Sequence, residues 1–450
     1  MLIDDLPDTK LAAARMPVVA ELVSHLRRQG FVFPSNVMVF GVQHIMSQTL
    51  VLCAAFNSLG ITAKNIALCG KPYSTDLNVV RSLNRQGVMT VPTGPYRCDR
   101  LQSLQQIEDL NELGDVFLRR RNEVGDSIVL VLDDGGHALT RFNALTTSPY
   151  RIAGIEQTAS GFWQPGAEEV PFPVIDVGTS ACKRILEPDL IVDASVRRAL
   201  RVINRFSGRC CGVIGLGYLG AALARRLLSE GASLSVFDAR PKAMERFEPF
   251  AAGSIHEVFD RSDIIFGCAG VDVTKDLFEE KGGALSCKPR ILASLSSGDD
   301  EFFSLKAALL DSGTFAHQTY QTGQIPDIEG RWQGSPIKIL RNGFPVNFDN
   351  TSESVPLEHI QGTVAALIIA TCQAYQYAMS IGDRPNIGRV MLDVRAQKWL
   401  FERWLKRIPN SQHLSGKLSL SRIASLSALR TTPRSVNNGT HFAPWPSSEI

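Results

Sequence analysis

Six residues, Gly215-Leu216-Gly217-Tyr218-Leu219-Gly220, constrain this chain more than any other segment. They follow the apolar run Cys210-Cys211-Gly212-Val213-Ile214 and open a stretch with helical periodicity, Ala221 to Gly231. Strand, glycine turn and helix in that order make a βαβ unit in which the first glycine forms the tight turn. The second glycine lets the backbone approach a pyrophosphate, and the third lets helix and strand pack closely. The helix N-terminus then offers its unpaired N–H groups to the phosphates. Asp238 ends the next apolar run, Ser233 to Phe237. A carboxylate about 20 residues beyond the first glycine accepts hydrogen bonds from a ribose diol and repels a 2′-phosphate, which predicts NAD in preference to NADP. Arg240 and Lys242 nearby soften that preference slightly.

The chain has room for more than this one unit. Its 450 residues exceed one ordinary core, and 44% apolar with 20% charged residues is a globular mix. Upstream, apolar runs at 36–42, 65–69, 88–91 and 127–133 alternate with helix-like segments at 47–59, 76–86 and 101–121. Such alternation predicts a parallel sheet with helices on its faces. Further strands are expected at 263–266 and 289–295, a long helix at 357–379 and an amphipathic helix at 397–407. The fold class read from this pattern is α/β, with two Rossmann-like parallel-sheet domains. The NAD-binding domain, 184–350, is inserted into a split substrate-binding domain made of 1–183 and a return helix at 351–385. A C-terminal helical segment, 386–429, and a Ser-, Pro- and Asn-rich tail, 430–450, complete the chain. Hinges are expected near 180–190 and 350–360, with cofactor and substrate between the domains.

Charge and composition narrow the partners. Lys and Arg number 47 against 45 Asp and Glu, so no basic surplus exists to grip a phosphate backbone and no nucleic-acid partner is expected. No run approaches the roughly 18 apolar residues a membrane span needs. The polar, acidic start MLIDDLPDTK is wrong for a signal peptide. Nine scattered cysteines without a C-x-x-C read as reduced thiols of a cytoplasmic protein. Eight dispersed histidines, with no H-E-x-x-H, give no ground to expect a metal.

Several segments, taken in order, resemble S-adenosylhomocysteine hydrolase. They are VQHIMSQTLVLCAAFNSLG (42–60), LCGKPYST (68–75), VLDDGG (131–136), GIEQTASG (154–161), VIDVGTSACK (174–183), the glycine motif and VNF (346–348). The resemblance covers roughly residues 36 to 380. It implies tightly held NAD⁺, a homo-oligomer and a redox cycle on a bound nucleoside. In that cycle the ribose 3′-hydroxyl is oxidised, the ketone acidifies C4′–H, the 5′ thiol is eliminated, water adds, and the alcohol is restored.

The resemblance assigns roles position by position. His44 and Asp134 would transfer protons near C4′ and C5′. Lys183 would assist hydride removal at the 3′ carbon, with Glu187 as its carboxylate partner. Gln157 stands where the family has a glutamate on the ribose hydroxyls. Thr158 and Ser160 would touch the nicotinamide side of the cofactor and Asn347 its amide, with Ala269 and Ser297 as further cofactor-binding candidates. The departures concern the base. Where the family reads Met-Thr-x-Glu-Thr, this chain reads Ile45-Met46-Ser47-Gln48-Thr49. A histidine is lost at Ser297, another is replaced by Ser354, and an asparagine is replaced by Pro188. The family's C-terminal Lys and Tyr, which reach a neighbouring subunit's cofactor, have no counterpart. Gln48, Thr49, Gln157 and Ser354 are therefore the substrate-binding candidates, and the expected partner is a nucleoside-like small molecule or a sugar alcohol. Two other readings stay open: a simple NAD-dependent dehydrogenase, and a non-catalytic NAD-binding regulatory protein.

Overall fold

The structure, a computed structural model, describes residues 7–91, 96–98, 100–145, 151–163, 166, 169–279, 286–311, 319–320, 325–349, 351–379 and 387–407. The Ser-, Pro- and Asn-rich tail lies outside them. In chain order the strands begin with β1 (Val37–Val42), β2 (Ile66–Cys69), β3 (Met89–Thr90), β4 (Tyr96–Arg97) and β5 (Ile128–Asp133). They continue with β6 (Ile152–Glu156), β7 (Pro173–Asp176), β8 (Cys210–Ile214), β9 (Ser233–Phe237) and β10 (Ile264–Gly267). The last are β11 (Arg290–Ser294), β12 (Thr319–Tyr320), β13 (Ile328–Trp332), β14 (Ser335–Ile339) and β15 (Gly388–Met391).

The chain divides into two compact units. Unit 1 comprises Met1–Thr93, Gln106–Glu187 and Pro356–Ile450; unit 2 comprises Gly94–Gln105 and Pro188–Val355. One α/β domain is thus inserted into another that is split in sequence. Unit 1 is built on a seven-stranded sheet in the order β15-β7-β6-β5-β1-β2-β3, parallel throughout. β1 and β5 are buried at every residue, because helices cover both faces of a parallel sheet and leave no wet side for polar residues. The helix Leu357–Met379 returns to this unit and lies against β5, β6 and β7, almost wholly buried. The helix Val394–Leu405 packs on it, and Trp404 Nε1 donates to the His359 carbonyl at 2.6 Å. Asp393 caps that second helix by accepting from the Arg395 and Ala396 N–H groups.

Unit 2 carries a six-stranded sheet in the order β13-β14-β11-β10-β8-β9. β13 is antiparallel to β14 and the rest are parallel. In both units the first strand has the second on one side and a later strand on the other. That reversal is the topological switch point where open α/β sheets bind ligands, beyond the carboxyl ends of the strands.

Seven of these strands were not read from the sequence: β4, β6, β7, β12, β13, β14 and β15. β6, β7 and β15 are too short to show a period, and β15 earns its place only by lying beside β7 at the sheet edge. Another missed feature is the β13–β14 hairpin, whose segments IEGRW and SPIKI alternate buried and exposed residues. Its turn, Gln333-Gly334, has positive φ at both residues (49° and 80°), as a two-residue hairpin requires.

Candidate functional site

The glycine motif of unit 2 sits at the switch point between β8 and β10. Gly215 has φ 92°, and a Cβ there would fall 2.6 Å from the Cys268 carbonyl carbon. A Cβ on Gly220 would lie 1.8 Å from the Gly215 oxygen, so helix and turn can meet only without it. Gly217 differs: nothing lies within 4 Å of where its Cβ would stand. The protein leaves that space open at the start of the helix Tyr218–Ser229, where backbone N–H groups await an anion. These residues fit a dinucleotide's pyrophosphate.

Asp238, buried at the end of β9, accepts the Leu216 N–H at 2.6 Å and so holds the motif in place. It also accepts from the Arg240 backbone N–H at 2.8 Å and from its guanidinium at 2.9 and 2.8 Å. Burial alone would raise its carboxyl, but Arg240 and the two N–H groups bring it down to about 2. The carboxylate expected to meet a ribose diol and a half-exposed cation therefore stand side by side. Tyr218 is exposed and Leu219 half-buried on the first helical turn; Ala269 and Ser297 are exposed beyond β10 and β11. Asn347 is buried just after Val346, whose N–H pairs with the Ser294 carbonyl. Ser354 is buried in the segment leading to the helix Leu357–Met379.

Unit 1 gathers polar side chains at the carboxyl ends of neighbouring strands. His44 follows β1, Lys71 follows β2, Asp134 follows β5, Gln157 follows β6 and Lys183 follows β7. β1 and β5 flank the switch point, and across it His44 Nε2 lies 2.9 Å from Asp134 Oδ2. The other ring nitrogen, Nδ1, lies 2.5 Å from Ser74 Oγ, so the imidazole is held at both ends. Asp134 Oδ1 accepts from Lys71 Nζ at 2.7 Å, and both side chains are buried. Burial would raise the Asp134 carboxyl, but Lys71 and His44 keep it well below the usual carboxylate range. Burial would in turn lower Lys71, and Asp134 keeps it above the usual ammonium range. Burial and Lys71 together push His137, just beyond the glycines, down to about 4, so it is neutral.

Glu156 braces the same corner. Its carboxylate accepts from the Gly135 and Gly136 N–H groups at 3.1 and 2.9 Å and from the Thr158 N–H and hydroxyl at 2.7 Å each. Burial and Asp134 push it up to about 7 against those donors. Gln157 is buried beside it, and its Oε1 has no partner among the described residues. Ser160 is exposed on the short turn Ala159–Trp163. Gln48 is half-buried on the first turn of the helix Ser47–Ser58, and the Thr49 hydroxyl donates to the His44 carbonyl. Lys183 Nζ pairs with Glu187 Oε1 at 2.8 Å, and Glu187 Oε2 accepts from the Thr363 hydroxyl at 2.9 Å.

The structure thus joins His44 to Asp134 and Lys183 to Glu187. It commits the Thr49 and Thr158 hydroxyls to the protein itself. Lys71, Ser74 and Glu156 were not singled out from the sequence. Nothing in the segment GKPYST singles out its lysine, and the adjacency of β2 to β1 brings it to Asp134. No group of His, Cys, Asp and Glu side chains among the described residues is arranged to hold a metal.

Fold and glycine loop define an NAD-binding α/β protein. Comparison with known proteins agrees: residues 179–287 match the D-isomer specific 2-hydroxyacid dehydrogenase NAD-binding domain. An uncharacterized protein of Mycobacterium tuberculosis is 26% identical over 363 residues, covering 79% of this chain and 68% of that one. The adenosylhomocysteinase of Thermoplasma acidophilum is 24% identical over 353 residues, covering 75% of this chain and 79% of that one. Among solved structures, a 2-hydroxyacid dehydrogenase from Ketogulonicigenium vulgare Y25 aligns with a TM-score of 0.29 and 18% identity. That alignment covers 40% of this chain and 63% of the dehydrogenase, less than two thirds of its length.

Proposed function

We propose that this chain is an NAD-dependent enzyme that transiently oxidises a secondary hydroxyl of a nucleoside-like molecule or sugar alcohol. A bond at the neighbouring position is then broken or formed, and the alcohol is restored. The observation that carries this reading is the His44–Asp134 pair facing across the switch point of a parallel sheet, with the buried Lys71 fixing its charge. The likeness to adenosylhomocysteinase supports it.

NAD⁺, when bound, supplies the hydride acceptor. Lys183 is suited to pass a proton to its partner Glu187 and take up the hydroxyl proton in its place as the hydride departs. Because His44 Nε2 faces the Asp134 carboxylate it carries the ring proton, and Nδ1, against the Ser74 hydroxyl, is the basic nitrogen suited to take the proton from the carbon beside the new ketone by way of that hydroxyl. Asp134, kept as a carboxylate, stabilises the imidazolium that results. The orphan Gln157 Oε1 offers an acceptor to a substrate hydroxyl.

The test begins with mass spectrometry of small molecules released from the purified, denatured protein, which supplies the substrate. Rapid mixing with it should then show a transient in the reduced-nicotinamide absorbance band with no net NADH released. Lys183→Ala should abolish the transient. His44→Ala and Asp134→Asn should keep it and slow the later steps by about 10²–10⁴. Reduction at the wild-type rate in the Lys183 variant would refute the assigned roles, and NADH released in step with product would establish a simple dehydrogenase instead.

A further inference from the structure

The loop after β10 is built around a buried carboxylate that has no part in the reading above. A Cβ at Gly267, the last residue of β10, would fall 2.1 Å from Glu301 Cγ, so the glycine admits the glutamate against the strand end. From there Glu301 Oε1 accepts the Ala269 N–H at 2.6 Å and Oε2 accepts the Gly270 N–H at 3.0 Å. The Glu301 carbonyl accepts the Val273 N–H at 2.9 Å, closing the far end of the same loop. This is the loop on which the glycine motif rests, since a Cβ on Gly215 would meet the Cys268 carbonyl carbon at 2.6 Å and the Ala269 nitrogen at 2.7 Å. Across the crevice Asp238 holds Leu216. Two buried carboxylates therefore pin the two walls of the switch point in unit 2, and only Asp238 belongs to the recognised motif.

We propose that Glu301 is a positioning residue for the cofactor: by holding two consecutive N–H groups it sets the 268–270 loop against the glycine motif, and through that loop the affinity for NAD. The inference rests on the NAD site of unit 2 and not on the reaction proposed for unit 1. A carboxylate satisfies two N–H donors at once. A protonated acid offers one of them a hydroxyl, and a glutamine turns an NH₂ group towards one.

Burial pushes the Glu301 carboxyl up to about 7, against hydrogen bonds from Ser296, Ala269 and Gly270, and Asp300 adds to the rise. The Cys268 thiol on the loop is itself raised by burial and by Glu301. Asp300, next in sequence, is raised to about 6 by burial and Asp299, while Asp299 is paired with Lys306 at 2.7 Å. Asp272, on the same loop, is engaged with Thr274 and Ser304. The clamp is therefore complete when Glu301 is ionised and is lost as pH falls through about 7.

Titration calorimetry with NAD⁺ on the full-length wild type, Glu301→Gln and Asp300→Asn, between about pH 6 and pH 8, tests this. Wild type and Asp300→Asn should both lose affinity as pH falls. Glu301→Gln should bind about tenfold more weakly at the upper end and show a flat profile. Equal affinity and an unchanged profile in Glu301→Gln would overturn the proposal. Should that variant fail to fold, a pH-independent affinity in the wild type would overturn it equally.

Discussion

At the scale of single residues, the polar cluster of unit 1 is held by one buried cation. Lys71 faces Asp134 at 2.7 Å, with its side chain 4% and that of Asp134 0% exposed. Removing one member of a buried pair leaves the other charged and unsolvated, which costs about 3–5 kcal/mol. Lys71→Met should therefore lower unfolding stability by about that amount, measured by denaturant titration at neutral pH. A loss under about 1 kcal/mol, the range of exposed pairs, would show that the cluster is open to water. The pH dependence has a definite sign. The depressed carboxyl of Asp134 contributes stability above its unfolded value, and that contribution disappears as the solution is acidified through its folded value. His44 and Asp134 were singled out only through the resemblance to S-adenosylhomocysteine hydrolase, which rests on segments contiguous in the chain; taken alone, each reads as readily as a structural residue at a strand end. Lys71 was not, because nothing near it in sequence reports its burial.

At the scale of elements, the three glycines of the motif do different jobs, although the sequence presents them alike. Gly220→Ala drives a methyl carbon into the Gly215 oxygen 1.8 Å away, so β8 and its helix must separate. This change should cost both fold stability and NAD binding. Gly217→Ala adds a methyl into open space at φ −64°, a conformation alanine adopts without strain. Its unfolding midpoint should stay near wild type while NAD⁺ affinity falls, because the methyl occupies room left for the pyrophosphate. Parallel thermal melts and NAD⁺ titrations separate the two cases. An equal loss of stability in both variants would show that Gly217 is structural. Elements with strong period or full apolarity, such as β1, β5, β8 and the helix Leu357–Met379, were legible from sequence to within about two residues. The short strands β6, β7 and β15 were not; β15 in particular is held in place by β7, from a distant part of the chain.

At the scale of the whole molecule, the function proposed above makes the choice of substrate turn on positions where the chain departs from the adenosylhomocysteinase pattern. Gln48, half-buried, offers an amide where that pattern has a carboxylate, and the buried Met46 offers no hydroxyl. A site that does not match a substrate's polar groups leaves buried donors or acceptors unpaired, and discrimination follows. The NAD-loaded protein should therefore bind adenosine weakly, with Kd in the range of about 10⁻⁴ M or above, equivalent to roughly 5 kcal/mol. Calorimetry with adenosine and S-adenosylhomocysteine checks this; micromolar affinity with hydrolysis would show that the altered residues still read adenine.

The sequence by itself determined the α/β class, the inserted NAD-binding domain and the glycine turn, because each is written in residues adjacent along the chain. The tertiary structure alone decided which charges meet. Strand order places the ends of β2, β1 and β5 side by side, and so brings Lys71 and His44 onto Asp134 from positions far apart in sequence. The same holds for Glu301, in the acidic run Asp299-Asp300-Glu301, whose burial nothing nearby in sequence reports. Burial converts it into a loop clamp, because its oxygens must find donors once water is excluded, and the nearest are two backbone N–H groups beyond β10.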